Sequence, residues 1–374
     1  VAAFQSAVAG LGGPPARVVA YLDVIAGRAA MADIIRPGSI LRIESPGRDF
    51  EVERALVAEG ADVEDEEDAR GMLGRIGRDD AMRQPFDRGL IFHPRQWYLG
   101  FREVLRRVDR QRAECPPHAV MNPPAAIEIL FDKPRCHRVL TERGVACPHA
   151  IGPVRSYEEL RARMREAGLW RVFVKLAHGS SASGVVALAT APGRQLADTT
   201  VAMERSGDGL RLYNSRRVLR YQDPAEIAAL IDALCRERVH VERWIPKAGL
   251  DGMAFDLRVV VIAGRPSHIV PRLSPTPMTN LHLKNRRGDV EALKSRMEPA
   301  AWDAALETCR RAVAAFPGCH YAGVDLLIAP DYRRHAVLEV NAFGDLLPGV
   351  TCGGRDTYAA EVAAWLDGAR REHP

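Results

Sequence analysis

Two short apolar runs, Gly323-Val-Asp325-Leu-Leu-Ile328 and Val337-Leu-Glu339-Val-Asn341, carry acidic and amide groups inside segments that otherwise read as buried strands. A turn at Pro330-Asp331 joins them, and so short a link makes the two strands pair antiparallel. Side chains alternate along a strand, so Glu339 and Asn341 share one face, and Asp325 on the partner strand can share it too. Leu338 and Val340 are then assigned to the opposite, buried face. Carboxylates clustered in an apolar segment are costly unless cations compensate them. Three oxygen-bearing side chains on one sheet face suit hard magnesium ions. The alternative is an exposed polar face with no ligand.

The basic residues narrow the search further. Of 52, only five are lysine, at positions 133, 175, 247, 284 and 294. Where positive charge alone is needed, this chain uses arginine. A lysine is a compact, flexible point charge suited to phosphate, whereas arginine is a planar fork. Lys175 ends a strand-like run, Val172-Phe-Val-Lys175-Leu, and the small residues of Gly179-Ser180-Ser181-Ala-Ser-Gly184 follow before a second strand opens at Val185. Small side chains let backbone N–H groups approach an anion closely. This is not a Walker A loop, because no GKS or GKT follows and the next element is a strand. A phosphate loop and a plain flexible hairpin are the two readings.

Two more clusters bear on a site. Val239-His-Val-Glu242-Arg-Trp244-Ile245 is a strand ending in an acidic and an aromatic residue, which fits an adenine slot or an ordinary strand edge. Asp256-Leu-Arg258 and the run from His268 to Arg272 flank a turn at Gly264-Arg265-Pro266. Arg258 and Arg272 then stand on paired strands, where either could grip a phosphoryl or carboxylate group.

The chain has 374 residues, 47% hydrophobic and 27% charged, which suits a soluble protein of two or three lobes. With a net charge of +4 and the two signs interspersed, no nucleic-acid partner is expected. No apolar run approaches the roughly 20 residues that span a bilayer, and no signal peptide is legible, so no membrane partner is expected and the location is read as cytoplasmic. The seven cysteines lack any CxxC spacing, which argues against a disulfide framework or zinc site.

Phe4, Val8 and Leu11 predict an opening helix; there is no initiator Met, and a strand is expected before residue 1. Residues 18–25 and 40–43 read as strands, 51–59 as a helix, and the acidic stretch 62–68 as solvated. Together they predict a small α/β lobe over 1–120. Cys115-Pro-Pro and Asn122-Pro-Pro mark a boundary. Beyond it lobes are expected over 121–245 and 246–374. Asp132 predicts a helix cap, Ser156 with Glu159 a capping box, and Asp223 a third helix start.

In order and spacing these clusters resemble the ATP-grasp superfamily, in particular its RimK-like carboxylate–amine ligases. The resemblance covers about residues 120–352 and extends to a little-characterised bacterial ATP-grasp group. Asn122-Pro-Pro-Ala-Ala-Ile127 with Asp132-Lys133 resembles the start of that fold's first ATP lobe. The resemblance implies an α/β (α+β) architecture: an N-terminal α/β lobe, then two ATP-grasp lobes enclosing the nucleotide. It makes Lys133 and Lys175 the phosphate lysines and Gly179, Ser180, Ser181 and Gly184 the mobile phosphate loop. Glu242, Trp244 and Ile245 become the adenine hinge, and Arg258 and Arg272 the catalytic arginines. Asp325, Glu339 and Asn341 become the ligands of two Mg²⁺ ions.

It implies ATP as cosubstrate, a carboxylate-bearing small molecule or peptide and an amine as partners, an acylphosphate intermediate, and a homo-oligomer as one assembly. A small-molecule kinase or a non-catalytic ATP-binding protein on the same fold are the alternatives. Two departures stand out. Asn341-Ala-Phe-Gly344-Asp345 lacks the Pro-Gly that often ends the family's motif. An added hairpin is expected near 201–221, carrying Arg205, Arg211, Arg216, Arg217 and Arg220, either to hold a peptide or as surface decoration.

Overall fold

The chain begins with helices. In the computed structural model, which describes residues 1–47, 49–65, 74–180, 182–207, 209–343 and 347–372, α1 (Ala2–Gly10), α2 (Tyr21–Ile25) and α3 (Met31–Ile34) precede a two-residue strand, β1 (Ile40–Leu41). Then come α4 (Phe50–Glu59), α5 (Arg78–Arg83) and α6 (Pro94–Ala113), before β2 (Ala119–Val120) pairs in parallel with β1. The strand expected at 18–25 is therefore a helix over Tyr21–Ile25, and residues 1–120 are mostly helical where described. Packing decides it: Tyr21, Leu22, Val24 and Ile25 pack against the core that holds Leu56 and Phe101. A run this short fits either period until tertiary contacts choose. Residues 66–68 of the acidic stretch lie outside the described residues.

Next come α7 (Pro124–Leu130), α8 (Lys133–Glu142) and α9 (Tyr157–Glu166). Asp132 accepts from the Arg135 amide at 3.0 Å and Ser156 from the Glu159 amide at 3.1 Å, so both caps form. A five-stranded antiparallel sheet follows, from β3 (Arg171–Leu176), β4 (Val185–Ala191), β5 (Arg194–Ser206), β6 (Gly209–Tyr221) and, after α10 (Pro224–Cys235), β7 (Val239–Arg243). Its order is β6-β5-β4-β3-β7. The arginine-rich segment is thus the end of β5 with the whole of β6, an edge strand of this sheet whose partner β5 pairs with β4. Leu160 and Met164 of α9 and Ile227, Leu230, Ile231 and Leu234 of α10 bury against Val172 and Val174.

The last third builds a second antiparallel sheet. Its members are β8 (Gly249–Leu250), β9 (Met253–Ile262), β10 (Arg265–Ser274), β11 (Arg286–Arg287) and, after α11 (Val290–Lys294) and α12 (Pro299–Ala314), β12 (Tyr321–Ile328) and β13 (His335–Asn341). α13 (Thr357–Glu372) closes the chain. The order β11-β10-β9-β12-β13 makes β9 and β12 central, and the alternation along each sorts the side chains. Phe255, Leu257, Val259 and Val261 of β9 and Ala322, Val324, Leu326 and Ile328 of β12 face a core shared with α12, α7 and α8. On the other face Val260, Ile262 and Tyr321 form a smaller core with residues of α13. Asp256, Arg258 and Asp325, on that same face, are left to line a cleft. Among the described residues no helix is long and apolar enough to cross a membrane.

Candidate active site

The cleft measures about 520 Å³ and lies between the two large sheets. Strand register builds its floor. Asp325 of β12 stands opposite Glu339 of β13, and Arg258 of β9 stands opposite Asp325 on the other side. Arg272 of β10 is register partner to Asp256 of β9. One sheet face therefore carries Arg272, Asp256, Arg258, Asp325 and Glu339 in neighbouring positions, with Asn341 two residues beyond Glu339.

These groups are joined into one network. Arg258 Nε donates to Asp325 Oδ1 at 2.5 Å and its Nη2 to Oδ2 at 3.3 Å. Arg272 Nη2 lies 3.1 Å from Asp325 Oδ2, and its Nε donates to Asp256 Oδ1 at 2.7 Å. Asp256 also accepts from Lys247 Nζ at 3.1 Å and from the Thr279 hydroxyl. Burial alone raises the Asp256 carboxyl, but Arg272 and Lys247 outweigh it and hold the group far below the usual carboxylate range. Burial pushes the Lys247 ammonium below its ordinary value despite Asp256. Among the described residues Arg258 Nη1 is buried with no hydrogen-bond partner, a donor left over on the cleft floor.

The opposite wall carries the lysines. Lys133, the first residue of α8, places Nζ 2.9 Å from Glu339 Oε1 and donates to the Gly179 carbonyl at 2.5 Å. Lys175 on β3 pairs with Glu242 on the adjacent β7, and His240 Nε2 lies 3.4 Å from the same carboxylate. Glu242 is 2% exposed. Burial raises its carboxyl, yet Lys175 and His240 prevail and bring it to about 2. The loop after β3 is tight. A Cβ added at Gly179 would stand 2.8 Å from the Ser183 carbonyl, and Gly184 combines φ +63° with a Cβ position 2.2 Å from Leu176 Cδ1. Only glycine fits either position without displacing neighbours.

Of the residues singled out from sequence, Lys133, Lys175, Gly179, Ser180, Glu242, Ile245, Arg258, Arg272, Asp325, Glu339 and Asn341 all line this one cleft. Gly184 and Trp244 do not. Gly184 supports the loop from behind, and the Trp244 ring packs on Phe173 at 5.3 Å and under Arg171 at 5.7 Å. Ser181, Gly344 and Asp345 lie outside the described residues. Leu338 corrects the strand reading. The register passes from Asp325–Glu339 to Leu326–Val337, so a β-bulge inserts Leu338 as an extra residue. Leu338 then joins the cleft lining, while Val337 and Val340 both bury in the core.

Several lining residues had no sequence signal. Met278 and Thr279 come from a loop beside the second sheet, and Ser45 and Gly47 from the N-terminal segment, while Lys247, marked only as one of the five lysines, also lines the cleft. Asn122, 1% exposed, holds the site from below: its amide donates to the Tyr321 and Ala342 carbonyls at 3.0 and 3.1 Å. The β5–β6 hairpin also reaches the rim. β6 packs against the 3-10 turn Leu281–Leu283, and Leu281 and His282 line the cleft.

The donor set suits magnesium in kind: two register-opposed carboxylates and an amide oxygen, all hard. Among the described residues no three His, Cys, Asp or Glu side chains form a metal-sized group, so any ion would complete its shell from water or a ligand.

No protein-family model matches the chain, and no curated protein matches it by sequence. Solved structures do. An ATP-grasp ligase, PsnB, complexed with a precursor peptide and AMPPNP, is 19% identical, with 72% of this chain covering 69% of that one at a TM-score of 0.39. D-alanine–D-alanine ligase from Bacillus anthracis is 12% identical, with 72% covering 77% at 0.44. The D-cycloserine synthetase DcsG is 16% identical, with 71% covering 78% at 0.46. At these identities and scores the likeness assigns neither substrate nor reaction to this chain.

Proposed function

We propose that this protein is an ATP-grasp enzyme that uses MgATP to activate a carboxylate and join it to an amine. One observation carries the reading: a single cleft sets two lysines and a glycine-bounded loop on one wall against two arginines, two carboxylates and an amide on the other. In this reading Lys133, Lys175 and the amides of the loop from Gly179 hold the triphosphate. Glu242, Arg243 and Ile245 border the base. Asp325, Glu339 and Asn341 would hold Mg²⁺, which supplies positive charge against the β- and γ-phosphate oxygens.

The residues present fit that cargo. Asp325 and Glu339 are neutralised here by Arg258, Arg272 and Lys133, cations that an arriving triphosphate would draw on. Arg258 Nη1, unpartnered among the described residues, offers a donor to a carboxylate or a phosphoryl oxygen at the cleft floor. Arg272 and Arg258 would stabilise the anion while the carboxylate attacks the γ-phosphoryl and the bond to the bridging oxygen breaks, releasing ADP and leaving an acylphosphate; an amine then attacks the acyl carbon, expels phosphate and gives up a proton to solvent. No nucleophilic Ser or Cys is needed.

The acceptor side is read as a peptide or amino-acid carboxylate. Strand β6, which carries Arg211, Arg216, Arg217 and Arg220, supports this, because it packs against residues 281–283 at the rim. A reaction supplied by ATP fits a cytoplasmic enzyme of the RimK-like kind. The test is phosphate release from MgATP against panels of amino acids and acidic peptides. The reading expects free phosphate only when carboxylate and amine are both present. Phosphate retained on a product would mark a kinase instead.

A further inference from the structure

The phosphate loop does not stand alone; the helical N-terminal lobe reaches it through one side chain. Tyr98 of α6 is 2% exposed, and its ring lies flat on the His178 imidazole, with centroids 3.9 Å apart and planes 8° from parallel. His178 immediately precedes Gly179, whose carbonyl receives Lys133. Its Nδ1 is 3.3 Å from the Phe131 carbonyl, and Phe131 lines the cleft. The other end of Tyr98 meets α8. Its hydroxyl donates to the Glu128 carbonyl at 3.1 Å and accepts from Arg135 Nη1 at 3.2 Å. Arg135 lies two residues after Lys133 and also donates to Glu128 Oε1 at 2.7 Å. The Lys133 amide donates to the Ala177 carbonyl at 3.1 Å, closing the arrangement. Tyr98 thus fills the junction between the two elements that carry the phosphate lysine and the phosphate loop.

α6 is in turn anchored at its start. Glu237, in the turn before β7, accepts from the Arg95 amide at 3.2 Å, and His93 Nδ1 lies 3.7 Å from the same carboxylate. The first two turns of α6 therefore grip the five-stranded lobe at the base of its phosphate loop.

We propose that Tyr98 is a positioning residue: its ring fixes His178, so the N-terminal segment sets the phosphate loop against Lys133, while its hydroxyl contact to Arg135 is secondary because Glu128 also holds that guanidinium. This rests on the reading of the cleft as a nucleotide site, and two separate measurements keep the two claims apart.

The first is hydrogen exchange on the full chain without nucleotide, read at the Lys133 and Gly179 amides. Tyr98→Leu removes both contacts, Tyr98→Phe keeps the ring, and His178→Asn removes the stack from the other side. Leu99→Ala, a buried change on the same helix, matches the general loss of core packing. Exchange is expected to rise about tenfold in Tyr98→Leu and His178→Asn beyond any rise in Leu99→Ala, and to stay within about twofold in Tyr98→Phe. Should Tyr98→Leu not fold, His178→Asn carries the comparison. Equal exchange in the ring-lacking variants and Leu99→Ala overturns the proposal.

The second is calorimetric titration with MgATP. Kd is expected to rise about tenfold where the ring contact is lost and little in Tyr98→Phe. Exchange that responds while the wild type ignores MgATP would leave the positioning contact standing and remove the nucleotide reading. Wild-type affinity in Tyr98→Leu would remove the positioning claim alone.

Discussion

Replacing Glu242 by Gln gives a prediction whose size follows from the structure. The Glu242 carboxylate sits at 2% exposure between Lys175 and His240 and titrates at about 2, against an ordinary 4.5. A group depressed in the folded state contributes stability that is present above its unfolded pKa and lost as pH falls through the folded one. At about 1.4 kcal/mol per pH unit, the pairing contributes about 3 kcal/mol at neutral pH. That matches the range of roughly 3–5 kcal/mol for breaking one side of a buried ion pair. Glu242→Gln should therefore lower unfolding stability by about 3 kcal/mol at pH 7. The gap to the wild type should narrow between pH 4.5 and about 2, where the wild-type carboxylate itself becomes protonated. Urea denaturation followed by far-ultraviolet circular dichroism at pH 7, 4.5 and 3 measures both features. Adding Lys175→Met to Glu242→Gln should recover part of the loss, because the stranded ammonium is gone. A stability gap below about 1 kcal/mol at pH 7, or one that does not change with pH, would refute the reasoning.

Glu339→Ala should leave the fold intact, since the side chain is partly exposed at 29%, while lowering Mg-dependent ATP turnover at least about a hundredfold; full activity would remove the magnesium assignment. Lys175→Met should weaken MgATP binding far more than Lys294→Met does in a calorimetric titration. Lys294 is the proper control because it lies on α11 outside the cleft lining, with its ammonium 3.1 Å from Glu291, whereas Lys247 lines the cleft itself. Replacing Arg211, Arg216 and Arg217 with Gln should raise KM for the carboxylate substrate several-fold, leave ATP affinity unchanged, and have less effect as salt is added. An unchanged KM would reduce the hairpin to surface decoration.

What could be read in advance depended on how much each segment's pattern allowed. Asp325, Glu339 and Asn341 stood out because carboxylates inside apolar strands demand an explanation, and Lys133 and Lys175 because lysine is scarce in an arginine-rich chain. The caps at Asp132, Ser156 and Asp223 were legible because side-chain capping is local chemistry. Residues 18–25 fit a strand or a helix by pattern alone, and only packing on Leu56 and Phe101 makes Tyr21–Ile25 helical. Leu338 departs from strict alternation because of a bulge, and that register break is a property of the pairing, not of the strand's own sequence. Thr279 and Ser45 reach the cleft only through the folding of distant loops, so no local pattern marks them, and scarcity alone does not place Lys247 there.

The most direct test of the central claim is a calorimetric titration of ATP into the wild-type chain with and without Mg²⁺, repeated with Lys133→Met and Asp325→Asn. The account predicts one site per chain with micromolar affinity in Mg²⁺, marked weakening without the ion, and loss of at least about tenfold in each variant. No binding by the wild type, or binding that neither variant disturbs, would contradict the assignment of this cleft as the nucleotide site.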